Sequence, residues 1–396
     1  MINNIEFLDL GLQPLANYYL KKSQINKKQK KYRLIVCFNK KNYLVSIKKT
    51  FSSKMMFNNE YPYRSSMSKT MNVSFSELSK KIKKNFAPRN ILEIGSNDGS
   101  FLKNFDKKIS IGIEPCANIE KITKKQKFNT ISKYWDYKLA SRLKKKIGNF
   151  DLIYSANTIT HIKNLNNVFK SINLVLSENG VLILEDPSLL ECLKRNTYDQ
   201  FYNEHIYVFS TIALKKILEK FNLEIFKIEK LPIHGGSNRY YIKKKNSKRK
   251  IEKSVRKEEK KEINYGLKNI NTYLKFKKRV LESKKKLISV FSKCKKDNKK
   301  IIGYGATAKS TTILNYCKLG SDKIDYFFDT TKEKQNKYTP GTLIKIKKYP
   351  GYIPKNVDLI FLGAWNFKKE IFNKEKKFLK SGGKFIIHTP YPRLIK

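Results

Sequence analysis

The 396-residue chain has no C-x-x-C pair, only four histidines and two tryptophans, and 33 acidic residues against 85 basic ones. Nowhere do about 18 apolar residues run together, which excludes a membrane-spanning helix of ordinary length. The opening MINNIEFLDLGL carries two acids and no apolar run, so no leader is read there and a cytoplasmic location is expected. The five cysteines, Cys37, Cys116, Cys192, Cys294 and Cys317, are odd in number and widely scattered, which speaks against a disulfide framework or a metal cluster. No period of about 20 to 50 residues recurs, so a solenoid is excluded. The shortage of acid leaves a formal charge of +52, which raises nucleic acid or an anionic membrane as partners. The excess is almost all Lys, however, spread along the whole length beside abundant Asn, Ile, Tyr and Phe. Codon bias of an AT-rich genome accounts for that diffuse pattern, with a demand for anion binding as the competing reading. Neither nucleic acid nor membrane is expected as a partner.

What is present is ample core material: 40% apolar residues, with 24 Phe and 23 Tyr. That suffices for two or three globular domains. Residues 1–75 hold short mixed apolar runs (YRLIVCF, NYLVSI) and turn-rich stretches, which predicts a small strand-rich module. Over 76–242 short buried strands (ILEIG, ISIGIE, FDLIYS, VLILED) alternate with amphipathic helices, the rhythm of a doubly wound parallel α/β sheet. Leu165, Val168, Phe169, Ile172 and Val175 recur at helical spacing, and Asn179-Gly180 is expected to end that helix. Residues 243–298 open with KKKNSKRKIEKSVRKEEKKE, which predicts a solvated, charged helical linker. A second α/β rhythm follows over 299–396.

ILEIGSNDGSFL at 91–102 is a strand, a turn and the start of a helix. Gly95 and Gly99 admit a close backbone approach, while Asn97 and Asp98 with Glu93 are unsuited to a phosphate cradle and suit a cationic ligand. S-adenosylmethionine, with its sulfonium and ammonium groups, is such a ligand. Nineteen residues after Gly95, Glu114 ends the next strand, where a carboxylate can accept ribose hydroxyls. SANTITHI follows the strand FDLIY and places Asn157 and His161 at the ligand crevice.

YDQFYNEHIYVFS at 198–210 sets Tyr202, Glu204 and His205 almost side by side before Ser210, a candidate N-cap for TIALKKILEKF. A neutral imidazole can take a proton near neutral pH. A phenol or second imidazole can steady an oxyanion, and a carboxylate can orient the base. GYGATAKS at 303–310, with Asp329 ending the following strand, is a partial dinucleotide fingerprint lacking its third glycine.

Taken together these residues resemble the S-adenosylmethionine-dependent C-methyltransferases of nucleotide-linked keto-deoxysugars. The resemblance is carried, in order, by LGLQPLANYY, NNEYPYRSS, EIGSNDGSFL, FYNEH, HGGSNRYYI, GYGATAKSTTILNYC, FFDTTKEKQNKYTPGT and GGKFIIHTPYP. It implies a zinc-binding N-terminal module, a Rossmann-like class I methyltransferase domain and a second Rossmann-like C-terminal domain closing over a nucleotide sugar. It implies His205 as the base with Tyr202, Glu204, His161 and Tyr63 in the same cleft. Tyr61, Lys309, Asn315 and Asp329 would then contact substrate, with Lys309 and its helix N-terminus meeting the diphosphate. Two departures stand out: Asn203 replaces a histidine of the family's Y-H-E-H box, and of two expected C-x-x-C pairs only Cys37 is found. One thiolate cannot supply four tetrahedral ligands, so no metal is assigned and zinc is in question. The alternatives are a nicotinamide-dependent nucleotide-sugar oxidoreductase, from the second glycine loop, and a nucleic-acid methyltransferase, from the charge. Against the latter, EDPSLL has Asp186-Pro187 without the second proline and aromatic of an N/D-P-P-Y loop.

Overall fold

The computed structural model describes residues 3–396. Its largest sheet has seven strands in the order Leu223–Leu231, Ser237–Lys244, Leu176–Pro187, Phe150–Ala156, Ile91–Ile94, Ser110–Ile113 and Thr130–Ile131. Pairing is parallel from Leu176–Pro187 to Thr130–Ile131, and Ser237–Lys244 is antiparallel to both neighbours. Ile91–Ile94 is buried at every position, as a strand covered by helices on both faces must be. The chain leaves it toward Thr130–Ile131 and returns on its other side at Phe150–Ala156. That reversal opens a crevice at the carboxyl ends of the two central strands.

Helix starts follow local capping chemistry. Ser68, Asp136, Asn164 and Ser210 each accept a backbone N–H from the first turn of the helix that follows. The helix Lys69–Asn85 buries Met71, Phe75, Leu78 and Ile82 on one stripe and runs across the expected boundary at 75/76. Leu165–Val175 stops four residues before Asn179-Gly180, because the next strand already begins at Leu176. Gly180 lies inside that strand, where a Cβ would come within 2.9 Å of the Phe150 carbonyl.

A second sheet has six strands, ordered Ile346–Lys348, Phe327–Asp329, Ile301–Tyr304, Leu359–Leu362, Lys384–Ile387 and Arg393–Ile395, parallel except for the last. The expected α/β class and the strand-rich N-terminal part both hold. The N-terminal part is nonetheless not self-contained: Asn4–Gln13, Tyr32–Asn39 and Val45–Ile47 are completed by Tyr207–Val208, the strand that leaves the FYNEH box.

Residues 243–298 are not a solvated linker. The long helix Ile270–Lys296 buries Tyr273, Phe276, Val280, Leu287 and Phe291, and Tyr273 packs 4.5 Å from Phe38 and 5.0 Å from Phe7, between ring centres. Glu262, on the helix Lys253–Tyr265, accepts the N–H groups of Thr211 and Ile212 at 2.8 and 3.0 Å, closing the start of Thr211–Leu218. Cys37 is buried opposite Glu6 and Ser46, while its strand neighbours Val36 and Phe38 enter the apolar core that the N-terminal sheet shares with Ile270–Lys296 and Ala308–Cys317. Apolar packing therefore holds this region. Among the described residues, no three His, Cys, Asp or Glu side chains gather as metal ligands, and no helix is long and apolar enough to cross a membrane.

Candidate active site

A cleft of about 480 Å³ lies at the carboxyl ends of Ile91–Ile94 and Phe150–Ala156, roofed by the segment 57–65 and by Thr307–Lys309 of the second sheet's domain. It has two chemically different halves.

One half is carboxylate-rich. Gly95 has φ +78°, and a Cβ there would fall 2.1 Å from the Thr158 hydroxyl oxygen, so only glycine leaves this edge open. Glu93 is buried with Oε2 unpartnered, and burial, with Asp98, Glu114 and Glu185 nearby, raises its pKa well above the ordinary value. Glu114 accepts the Asn97 N–H at 3.0 Å and the Cys116 N–H at 2.8 Å, which leaves its remaining lone pairs toward the cleft. Asn157, at φ +49°, donates its N–H to the Glu185 carbonyl and lines the same wall. A cation with a vicinal diol fits this donor and acceptor set: the orphaned buried carboxylate oxygen needs a positive partner, and the cradle a Cβ would fill admits a close approach. S-adenosylmethionine has both features.

Two of the residues expected on the cofactor turn elsewhere. Asp98 accepts the Ser66 N–H at 3.1 Å and the Ser100 hydroxyl at 2.7 Å, and Gly99 packs against the Phe128 ring. Asn97 still lines the cleft, but its side chain accepts the Ser65 N–H and donates to the Tyr63 carbonyl. The polar turn thus anchors the tyrosine segment over the crevice.

The other half is aromatic and imidazole-rich. Phe57, His161 and His205 stack with ring centres 5.2 and 5.1 Å apart, and Tyr202 lies 4.0 Å beyond His205. The Gln200 carbonyl, 2.8 Å from His205 Nδ1, can only accept, so Nδ1 carries the proton. Nε2 is then the lone-pair nitrogen, and the Tyr202 hydroxyl donates to it at 2.6 Å. Burial, with His161 and Lys309 nearby, holds the His205 imidazole well below its ordinary pKa; His161 and His234 fall to about 3, also through burial and Lys309. All three rings are neutral at physiological pH.

Glu204 faces away from His205. A turn closed by the His205 N–H on the Tyr202 carbonyl brings Tyr202 and His205 to one side and sends Glu204 to Asn17, whose amide donates at 2.8 and 2.9 Å. The group that orients the His205 ring is therefore the Gln200 carbonyl, not the adjacent carboxylate. Burial pushes Glu204 up to about 7, against hydrogen bonds from Asn17 and Tyr61 and the charges of Lys309 and Lys334.

Tyr61, Tyr63 and Lys309 line the cleft, whereas Asn315 and Asp329 do not. Asn315 donates to the Thr311 and Pro340 carbonyls, and Asp329 accepts the Ala306 and Thr331 N–H groups, so both are fastenings of their own domain. His234, which also lines the cleft with Nε2 unpartnered, opens the stretch HGGSNRYYI but was assigned no role there. Asn17 and Gln200 gave no signal of their own.

The methyltransferase domain family matches residues 63–228, and the family described as C-methyltransferase C-terminal domain matches 232–390. The C-methyltransferase NovU of Streptomyces niveus is 28% identical over 310 residues, 77% of this chain and 73% of NovU. Among solved structures, a possible histamine N-methyltransferase of Thermotoga maritima is 20% identical over 43% of this chain and 87% of its own, at a TM-score of 0.32. The N-methyltransferase NodS of Bradyrhizobium japonicum is 15% identical over 44% and 94%, at 0.33.

Proposed function

We propose, for a chain that belongs to the S-adenosylmethionine-dependent C-methyltransferases, that the acceptor is a nucleotide-linked keto-deoxysugar methylated on carbon through an enolate. The observation that supports this most is the His205 ring: neutral, with Nδ1–H held by the Gln200 carbonyl and Nε2 presented beside Tyr202 in the cleft that also holds Gly95 and Glu114.

A C–H group beside a ketone is too weakly acidic to lose its proton to water. His205 Nε2 takes that proton as the C–H bond breaks, and the electron pair moves onto the ketone oxygen. For this the Tyr202 O–H first turns from the Nε2 lone pair to the ketone oxygen, where it donates to the developing oxyanion. His161 Nε2, buried without a partner, is a second group for the same oxygen. S-adenosylmethionine supplies a methyl carbon bound to cationic sulfur. Glu93 and Glu114 hold that cation's half of the cleft, and Tyr61, Tyr63 and Lys309 hold the acceptor against it, so the transfer becomes a matter of positioning. The His205 proton then passes to solvent.

Incubating the protein with methyl-labelled S-adenosylmethionine and a panel of nucleotide-linked 4-keto-6-deoxysugars tests this reading. Label is expected in a sugar. Label in RNA or DNA and in none of the sugars would overturn it.

A further inference from the structure

Asp199 opens an unexplained connection between the second sheet's domain and the base. Its carboxylate is completely buried, and Oδ2 accepts the Trp365 indole N–H at 2.6 Å. His388 Nε2 lies 3.2 Å from the same oxygen, and because a carboxylate only accepts, that nitrogen carries its proton. Trp365 follows the strand Leu359–Leu362, and His388 follows Lys384–Ile387. Two neighbouring strand ends of one domain therefore grip a single carboxylate of the other.

The next residue is Gln200, whose carbonyl fixes the His205 tautomer. Its side-chain amide donates to the His234 carbonyl at 2.7 Å. Immediately after His234, Gly235 sits at φ +86° with Trp365 so close that a Cβ would fall 2.4 Å from the indole edge. The segment that carries the orienting carbonyl is thus clamped twice, and Trp365 takes part in both clamps.

We infer that Asp199 is a positioning residue: through Trp365 and His388 the C-terminal domain holds the 199–200 peptide so that the Gln200 carbonyl keeps His205 in its Nδ1–H form, with the Nε2 lone pair turned to Tyr202 and the cleft. Asp199 does not touch the cleft itself. It acts through its neighbour, as an orienting group does when it fixes which ring nitrogen carries the proton. The charge on Asp199 is maintained: burial raises its pKa, but His388, Trp365 and Lys309 more than offset that and leave it below the ordinary value. The inference rests on His205 being the base proposed above.

The test uses the full chain labelled with ¹⁵N-histidine, whose four ring signals are assigned by single His→Gln variants. Wild type is expected to show His205 as one neutral Nδ1–H tautomer. Trp365→Phe and Asp199→Ala should each mix the two tautomers and lower kcat by about ten- to a hundredfold, the loss expected for one hydrogen bond to a charged group. KM for S-adenosylmethionine should stay within about twofold, because the carboxylate half of the cleft is untouched. Asp199→Asn, which can still accept the indole N–H, should lie between wild type and Asp199→Ala. An unchanged His205 tautomer in both Trp365→Phe and Asp199→Ala would overturn the inference. Full turnover in His205→Asn would instead remove His205 as the base, and the two failures are separable because the tautomer is read without turnover.

Discussion

The molecule contains two strand–glycine turns, the first leading only into the three-residue 3-10 helix Leu102–Asn104 and the second into the α-helix Ala308–Cys317, and they have opposite fates. In each, an acid at the end of the following strand accepts two backbone N–H groups: Glu114 those of Asn97 and Cys116, Asp329 those of Ala306 and Thr331. At the first, the Gly95 edge and Glu114 face an open cleft. At the second, the chain fills the space itself. The Tyr19 hydroxyl and the Lys334 ammonium donate to the Ala306 carbonyl at 2.6 and 2.8 Å, and Lys334 stands 3.6 Å from Asp329. A nicotinamide dinucleotide would need that place, so the oxidoreductase reading of GYGATAKS loses its physical basis. A fingerprint specifies a backbone shape, and what else packs there decides whether a ligand can use it.

Breaking the open loop should have the largest effect. Gly95→Ala should weaken S-adenosylmethionine binding about a hundredfold by calorimetry, since the new Cβ meets Thr158 at a φ that side chains avoid. Gly305→Ala, at φ +80° and with a Cβ 2.4 Å from that of Ala364, should instead cost about 2 kcal/mol of unfolding stability and leave cofactor affinity unchanged. Equal loss of affinity in both variants would erase the contrast between the loops.

A pH series sharpens it. Burial, then Asp98, Glu114 and Glu185, raises Glu93 above its ordinary value, so the free protein keeps this proton where an exposed glutamate has lost it. A bound cation favours the carboxylate and expels the proton. Affinity should therefore rise with pH, by up to about tenfold per unit, until the raised pKa is passed, and then level off. Calorimetry in buffers of different ionisation enthalpy would register the released proton, and none released would place Glu93 outside the cation's reach. The smallest effect is expected for Tyr19→Phe, about 1 kcal/mol of stability by denaturant titration with cofactor affinity unaltered.

Much of this was legible in the residues. ILEIG, with four apolar or buried positions before a glycine, could only be a covered strand ending in a turn, and Ser210 caps its helix as its side chain predicts. Directions inside a loop were not legible. Tyr202 and His205 share a face because they are the two ends of a four-residue turn, while Glu204 between them is turned to Asn17, 187 positions away in the chain. Tyr207–Val208 is too short to announce that it completes a distant sheet. The charged run misled for a related reason: charge on most of a helix conceals a buried stripe, and Glu262 is buried because two open N–H groups needed an acceptor. His388 lies in the stretch GGKFIIHTPYP, but nothing in it or around Trp365 points to Asp199.

Central to the proposed reaction is His205 as the base that makes an enolate before any methyl moves. The most direct measurement is proton exchange in D₂O, followed by ¹H NMR, on a nucleotide-linked 4-keto-6-deoxysugar that the enzyme methylates. Wild type should wash deuterium into the carbon beside the ketone, and His205→Ala should slow this by about a hundredfold or more while still binding S-adenosylmethionine. Exchange and methylation at full rate in His205→Ala would contradict it.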